Sequence, residues 1–141
     1  MTHIQKVSLF VLRVSLGWIF FWSGITKVLN PAWSAAGYLN SAKTFPDLYH
    51  WFARPSLLPV TNIVNEWGML ILGASLIMGL FIRFSAPFGV LLMALYYLPV
   101  LQFPYPNVNS FLVDEHIIYI CALLVLMSFH ADNFWSIRKK K

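Results

Sequence analysis

The sequence has little cysteine and little charge. Cys121 is the only cysteine among 141 residues, which excludes an internal disulfide, a C-x-x-C redox pair, a C-x-x-C-H haem attachment site and a four-thiolate metal site. Charged residues make up 11% of the chain, whereas about 25% is usual for a soluble domain. A soluble globular domain is therefore not expected, and any electron transfer has to use a bound organic cofactor, a partner subunit or a histidine-held metal.

Apolar residues are abundant instead. Hydrophobic residues make up 59% of the chain and aromatic residues 17%, so disorder is excluded. The length is that of a single domain, residues 1–141. The formal net charge is +5, and four of the ten basic residues form the tail 138–141. A basic tail beside an apolar chain is typical of contact with anionic lipid, so the lipid bilayer is the expected partner and nucleic acid is not.

Four apolar stretches have the length that a membrane crossing needs, which is about 20 residues. They cover residues 7–29, 64–84, 86–103 and 112–131. The second and third are joined by a few residues around Arg83 and Ser85, so we expect antiparallel neighbours. The predicted fold is all-α, an integral membrane four-helix bundle. The first stretch is too long for the apolar region of a signal peptide and is interpreted as an anchor.

The placement of Lys and Arg predicts the orientation. With four spans, both termini and the Arg83 turn share one side, which holds seven basic residues against three on the other. Basic residues concentrate on the cytoplasmic side. Both termini are therefore predicted to be cytoplasmic.

The connection 30–62 lies on the predicted outer side. Asn30-Pro31 resembles an N-cap followed by proline at the first helical position, which predicts a short interfacial helix there. Prolines interrupt a second aromatic cluster around Tyr49 and Trp51. Long loops are usually functional or disordered, and this aromatic content argues against disorder. We therefore predict that residues 30–62 form a lid at the outer membrane surface.

Ionisable residues inside a span are costly and suggest a function. Arg13, Gly17, Gly24 and Lys27 lie within about 40° of one line on the first helix, so this stripe is predicted to face the bundle, where glycine allows close approach. Glu66 lies on a similar glycine-containing face of the second helix. Asp114, Glu115 and His116 begin the fourth span. A lysine, several carboxylates and a histidine are therefore expected to converge beneath the lid.

Each of these residues also has a structural interpretation. Charges at the ends of spans often mark the interface, Glu66 beside Trp67 can be an interfacial anchor, and Arg13 can extend to the headgroups. Tyr96, with Tyr97 and Pro99, can line a pocket for a flat ring or simply pack. The histidines sit at different depths, so no metal or haem is expected.

Six short segments follow one another along nearly the whole chain. They are L-R-V-S-L-G-W-I-F at 12–20, G-I-T-K at 24–27, P-A-W-S-A-A-G-Y-L at 31–39, N-E-W-G at 65–68, G-L-F-I-R at 79–83 and V-D-E-H at 113–116. In this order they resemble the DoxX/DoxD family: its opening helix, the outer loop of the DoxD-like branch, its second helix and turn, and the start of its fourth helix. The resemblance implies a small four-helix protein of the prokaryotic plasma membrane. The DoxD branch is named for the large subunit of thiosulfate:quinone oxidoreductase, which acts with a second subunit, DoxA.

The first functional hypothesis is therefore a membrane subunit of a quinone-linked redox system, with quinone as cofactor and a DoxA-like or other soluble redox partner. Glu66, Glu115 and His116 are the candidate catalytic residues, because reduction of a quinone consumes protons that they could relay. Residues that could bind the substrate, an anion or a quinone, are Lys27, Arg13, Asp114 and Trp67.

Two alternatives remain open. The protein could be a non-catalytic membrane scaffold for a soluble redox enzyme, in which Lys27 and Glu66 form a structural ion pair. It could also form a permeation path for a small solute, which would need a homo-oligomer, because four helices leave little room for a lumen.

Overall fold

The computed structural model describes residues 1–131 and residue 135. These residues fold into six helices: α1 (His3–Val28), α2 (Ala36–Asn40), α3 (Pro46–Phe52), α4 (Leu58–Met78), α5 (Ile82–Val100) and α6 (Glu115–Ser128). Two isolated β-bridges occur between α5 and α6, and the described residues contain no strand. The all-helical prediction is thus confirmed for the part of the chain that the structure describes, and the basic tail 138–141 lies outside it.

Among the described residues, three helices are long and apolar enough to cross a membrane: α1, α4 and α5, with 26, 21 and 19 residues. The helix at the fourth predicted span is shorter than these three. It is α6, which has 14 residues and is about 21 Å long at 1.5 Å per residue. Asp114 caps α6 by accepting a hydrogen bond from the backbone N–H of His116 at 2.9 Å. The helix therefore begins at Glu115 and not at residue 112.

Four helices share one hydrophobic core. α1 packs on α4, α4 on α5, α5 on α6, and α6 returns to α1. The core is built from large side chains that are almost completely buried: Phe20, Leu72, Leu76, Leu123 and Leu126. The predicted antiparallel pairing of the second and third spans is confirmed, with Gly79 ending α4 in the left-handed conformation at φ 70°.

Glycines bring α1 and α4 into backbone contact. A Cβ atom added to Gly24 would lie 2.4 Å from the backbone nitrogen of Leu70, and one added to Gly73 would lie 2.2 Å from that of Phe21. Gly17 and Arg13 on the same line of α1 are buried as well. The prediction that this stripe faces the bundle is confirmed, and any larger side chain at Gly24 would push the two helices apart.

Residues 30–57 form a packed lid over one end of the helices. α2 and α3 bury Leu39 and Tyr49 against each other. Two backbone-directed bonds tie the connection between them to the end of α5: the Lys43 N–H donates to the Pro99 carbonyl at 2.8 Å, and the Thr44 hydroxyl donates to the Leu101 carbonyl at 2.5 Å. The predicted lid is therefore an ordered layer that is fixed to α5.

The boundaries of the lid differ from the prediction in two places. Asn30-Pro31 does not begin a helix, because the Asn30 side chain accepts a hydrogen bond from the Ala32 N–H at 3.2 Å and closes a turn. The first lid helix begins at Ala36. α4 begins at Leu58, six residues before the predicted start, with a proline in its first turn. Glu66 consequently lies about two turns inside α4 and not at its beginning.

Candidate functional site

A cavity of about 370 Å³ lies between the lid and the helices. Both short lid helices contribute to its wall, together with the last turn of α1, the first turns of α4 and the second half of α5. Its lid wall includes Trp33, Tyr38, Leu39, Tyr49, Trp51 and Phe52, and its helix wall includes Lys27, Thr61, Asn65, Leu92, Leu95 and Tyr96. Apolar and aromatic side chains thus form most of its surface.

A series of hydrogen bonds connects the polar side chains on the helix wall of the cavity. The Lys27 ammonium group donates to the Tyr96 hydroxyl at 2.9 Å and to the Met69 thioether at 3.1 Å. The Tyr96 hydroxyl in turn donates to the side-chain oxygen Oδ1 of Asn65 at 2.7 Å. The Asn65 amide group donates to the Thr61 backbone carbonyl at 2.8 Å. This series joins α1, α5 and α4, and Lys27 is the one charged side chain among the described residues that line the cavity.

Local geometry holds Lys27 in place. It lies in the last turn of α1, one turn beyond Gly24, where α1 touches α4. Its ammonium group is 5.0 Å from the ring centre of Trp33 and 5.1 Å from that of Tyr96. Cations are attracted to aromatic faces at such distances. A lid residue and a helix residue therefore both position the cation.

The lid tyrosines are neutral hydrogen-bond donors. The Tyr49 hydroxyl donates to the Leu95 carbonyl at 2.9 Å, and the Tyr38 hydroxyl donates to the Tyr96 carbonyl. Burial raises the pKa of Tyr49 to about 12. The pKa of Tyr38 is raised mainly by burial and further by neighbouring tyrosines and carboxylates. These phenols keep their protons at neutral pH and fix the lid to α5.

Only one of the predicted site residues, Lys27, lines the cavity. Glu66 is half-buried on α4, does not line the cavity and forms no hydrogen bond or ion pair within the described residues. Lys27 is bonded to Tyr96 in place of the suggested ion pair with Glu66. Trp67 is 49% exposed and lies on the outer face of α4.

Asp114 and His116 form a pair beside the cavity. The buried Asp114 carboxylate lies 2.8 Å from His116 Nδ1. The His116 ring is nearly parallel to the Tyr96 ring, at an interplanar angle of 10° and a centroid distance of 6.1 Å. Glu115 is exposed. The ligand atoms of these three residues lie within 4.8 Å of one another, so they form a group that could hold a metal ion. The Asp114 carboxylate, however, already caps α6 and binds His116.

Arg13 lies near the middle of α1, in its N-terminal half. It is 14 residues from Lys27, which corresponds to about 21 Å along the helix. Its guanidinium group is fully buried and donates to the backbone carbonyls of Ala131 at 2.7 Å and Trp135 at 2.9 Å. Arg13 therefore holds the segment after α6 and does not extend to the headgroups or contribute to the cavity.

Sequence reasoning did not assign a role to Asn65, Thr61 or Trp33 in the site. Asn65 is adjacent to Glu66, and successive residues of a helix point about 100° apart. The functional role was predicted for Glu66 because a carboxylate inside a span is costly, whereas the side chain that lines the cavity is the Asn65 amide. Of the three residues of the third span that could line a pocket, Tyr96 lines the cavity, whereas Tyr97 and Pro99 do not.

These features define a helical membrane protein with a lid-covered, mostly apolar cavity that is lined by Lys27. The family model for DoxX matches residues 8–101, which include most of α1 and all of α2 to α5. The chain belongs to the DoxX family. Comparisons with curated proteins and with solved structures each find no match.

Proposed function

We propose that the protein is a membrane subunit of a quinone-linked redox system and that the cavity under the lid binds the ring of the quinone. The observation that carries the proposal is the bonded series Lys27, Tyr96 and Asn65 on one wall of an otherwise apolar, aromatic cavity. Membership of the DoxX family and the resemblance to the DoxD branch support it. Electrons would come from a partner, such as a DoxA-like subunit that oxidises thiosulfate.

The cavity suits a flat ring that carries carbonyl groups. Its volume falls in the range of small-molecule pockets, about 300 to 1,000 Å³. The aromatic rings of Trp33 and Tyr38 offer flat surfaces. The Lys27 ammonium group has three protons, and one of them is directed at the Met69 thioether, which is a weak acceptor. A carbonyl oxygen of the ring would be a stronger acceptor for that proton.

The side chains provide charge and protons where reduction requires them. Reduction of a quinone to a quinol consumes two electrons and two protons. Lys27 would stabilise the negative charge that develops on the ring oxygen. Protons would enter from the lid side, where exposed Glu115 is followed by half-buried His116 beside the Tyr96 ring. Glu66, half-buried next to Asn65, is the second candidate donor.

Quinone binding can be tested with the purified chain in nanodiscs. A short-chain quinone analogue is titrated while tryptophan fluorescence is recorded, because Trp33 and Trp51 line the cavity. We expect saturable quenching in the wild type, and at least tenfold weaker binding in Lys27→Met. Lys43→Met is the matched control, since Lys43 is exposed on the lid and outside the cavity. Linear quenching that is equal in all three proteins would overturn the proposal.

One observation favours the scaffold alternative. Lys27 joins α1 to α5 through Tyr96 and to the lid through Trp33, which is also how a purely structural lysine would be arranged. In that case the wild type shows no saturable binding. Lys27→Met then lowers the thermal stability of the protein and its retention of a soluble redox partner.

A further inference from the structure

The cavity has an opening between the lid and α4. Val60 and Val64 line the cavity and yet are 58% and 44% exposed on the outside of the protein. Trp51, on α3, lines the cavity as well and is 44% exposed. Residues that contact both the cavity and the exterior mark an entrance, so the entrance lies between α3 and the first turns of α4.

This entrance is on the exposed apolar face of α4. The exposed large apolar residues of α4 recur at helical spacing along one stripe, which consists of Val60, Ile63, Val64, Trp67 and Ile71. α4 is one of the three helices that are long and apolar enough to cross a membrane. Val64 lies about 9 Å along the helix from its first residue. A ligand that enters between Val60 and Val64 therefore passes the exposed apolar surface of a helix that is long enough to cross a membrane.

The lining of the cavity combines polar and apolar side chains. Lys27, Asn65 and Tyr96 form the polar wall, whereas Val60, Val64 and Trp51 surround the entrance. A soluble dianion would have to leave water and pass apolar side chains to meet one cation, which is costly. An amphiphile can place its polar head at Lys27 while its apolar part stays in the entrance.

We propose that the cavity is a lateral binding site for an amphiphile, whose flat polar head lies at Lys27 and whose long apolar tail leaves between Val60, Val64 and Trp51 into the lipid. This inference rests on the proposed function in taking a quinone ring as the head. It adds the route by which the ligand enters and the requirement that the ligand has an apolar tail. Thiosulfate would then bind at another site or on another subunit.

A steric block tests the route. Val64→Trp narrows the entrance, and Ile71→Trp is the matched control, because Ile71 lies on the same exposed stripe and does not line the cavity. In nanodiscs we expect Val64→Trp to weaken binding of a quinone with a long isoprenoid tail at least tenfold and that of a short-chain analogue less than threefold. Unchanged binding of the tailed quinone, or an equal loss for both ligands, would overturn the route.

Photolabelling separates this inference from the quinone assignment. Phospholipids with a carbene-generating group on the acyl chain are incorporated into nanodiscs without quinone. We expect the label on Leu92 and Leu95, which line the cavity, and not on Leu76, which is buried in the core away from it. Labelling confined to the outer faces of the helices would refute the lateral entrance, even if short-chain quinone binds. If Leu92 is labelled and no quinone binds, the lateral entrance is supported and the assignment of quinone as the ligand is refuted.

Discussion

The Lys27 ammonium group donates a hydrogen bond to the Tyr96 hydroxyl at 2.9 Å, and this bond joins the end of α1 to the end of α5 beneath the lid. The Tyr96 hydroxyl also donates a hydrogen bond to the Asn65 side chain on α4. One phenol thus connects three helices at the polar wall of the cavity. Both the proposed binding of a ring and the stability of this end of the bundle depend on it.

Tyr96→Phe removes this connection without changing the shape of the ring. The substitution deletes the acceptor for Lys27 and the donor for Asn65. We expect a loss of about 1 to 3 kcal/mol in the free energy of unfolding, since a bond to a charged group is broken. Chemical unfolding in mixed micelles measures it. Tyr105→Phe, at an exposed tyrosine of the α5–α6 loop, is expected to change little. Equal stability of the two variants would contradict a role for the bond.

Gly24→Ala tests the contact between α1 and α4. The added Cβ atom would meet backbone atoms of Leu70, which cannot move aside as a flexible side chain can. Overpacking of this kind costs about 1 to 3 kcal/mol. Gly37→Ala is the matched control, because nothing lies within 4 Å of its added Cβ atom. Unfolding of both variants is measured side by side, and an unchanged Gly24→Ala protein would mean that the helices are not in contact there.

Arg13→Met tests how the segment after α6 is held. Arg13 donates to the carbonyl of Trp135, and chymotrypsin cleaves after large aromatic residues. The substitution leaves two carbonyls without their donor, at roughly 1 to 3 kcal/mol for each. We expect faster chymotryptic cleavage after Trp135 than in the wild type. Arg83→Met, at an exposed arginine, should cleave at the wild-type rate. Identical rates for all three proteins would refute the contact.

Membrane orientation can be tested with single cysteines. Ser41 is exposed on the lid, and Ser136 precedes the basic tail. In a Cys121→Ala background, a membrane-impermeant maleimide applied to intact cells should label Ser41→Cys and not Ser136→Cys. Both should react after permeabilisation. The reverse pattern would place the lid in the cytoplasm and refute the orientation predicted from the basic residues.

The helix period and the glycines predicted the buried face of α1 correctly. Arg13, Gly17 and Gly24 lie on one line at 100° per residue, and the structure buries all three. This inference needs only the geometry of a single helix. The aromatic content of residues 30–62 likewise predicted an ordered lid, because so many large rings have to be covered.

The partners of Lys27 were not predictable in the same way. Which residue meets Lys27 depends on where α4 begins, and a start at Leu58 and not at residue 64 changes the depth of Glu66. A helix also separates neighbours by about 100°, so Asn65 lines the cavity while Glu66 does not. Pairing between helices is a tertiary property that periodicity within one segment does not determine. The later start of α6 reflects the cap at Asp114, which a count of apolar residues does not detect.

The contact between Arg13 and the Ala131 carbonyl has a consequence for biosynthesis. The two residues are 118 positions apart, and at about 5 to 20 residues per second the ribosome needs on the order of 6 to 24 s to make the intervening chain. The first helix therefore enters the membrane well before the carbonyls that complete its packing exist. Final assembly of α1 has to wait for the segment after α6, so the nascent chain passes through a stage in which insertion machinery or lipid headgroups have to accommodate the Arg13 guanidinium.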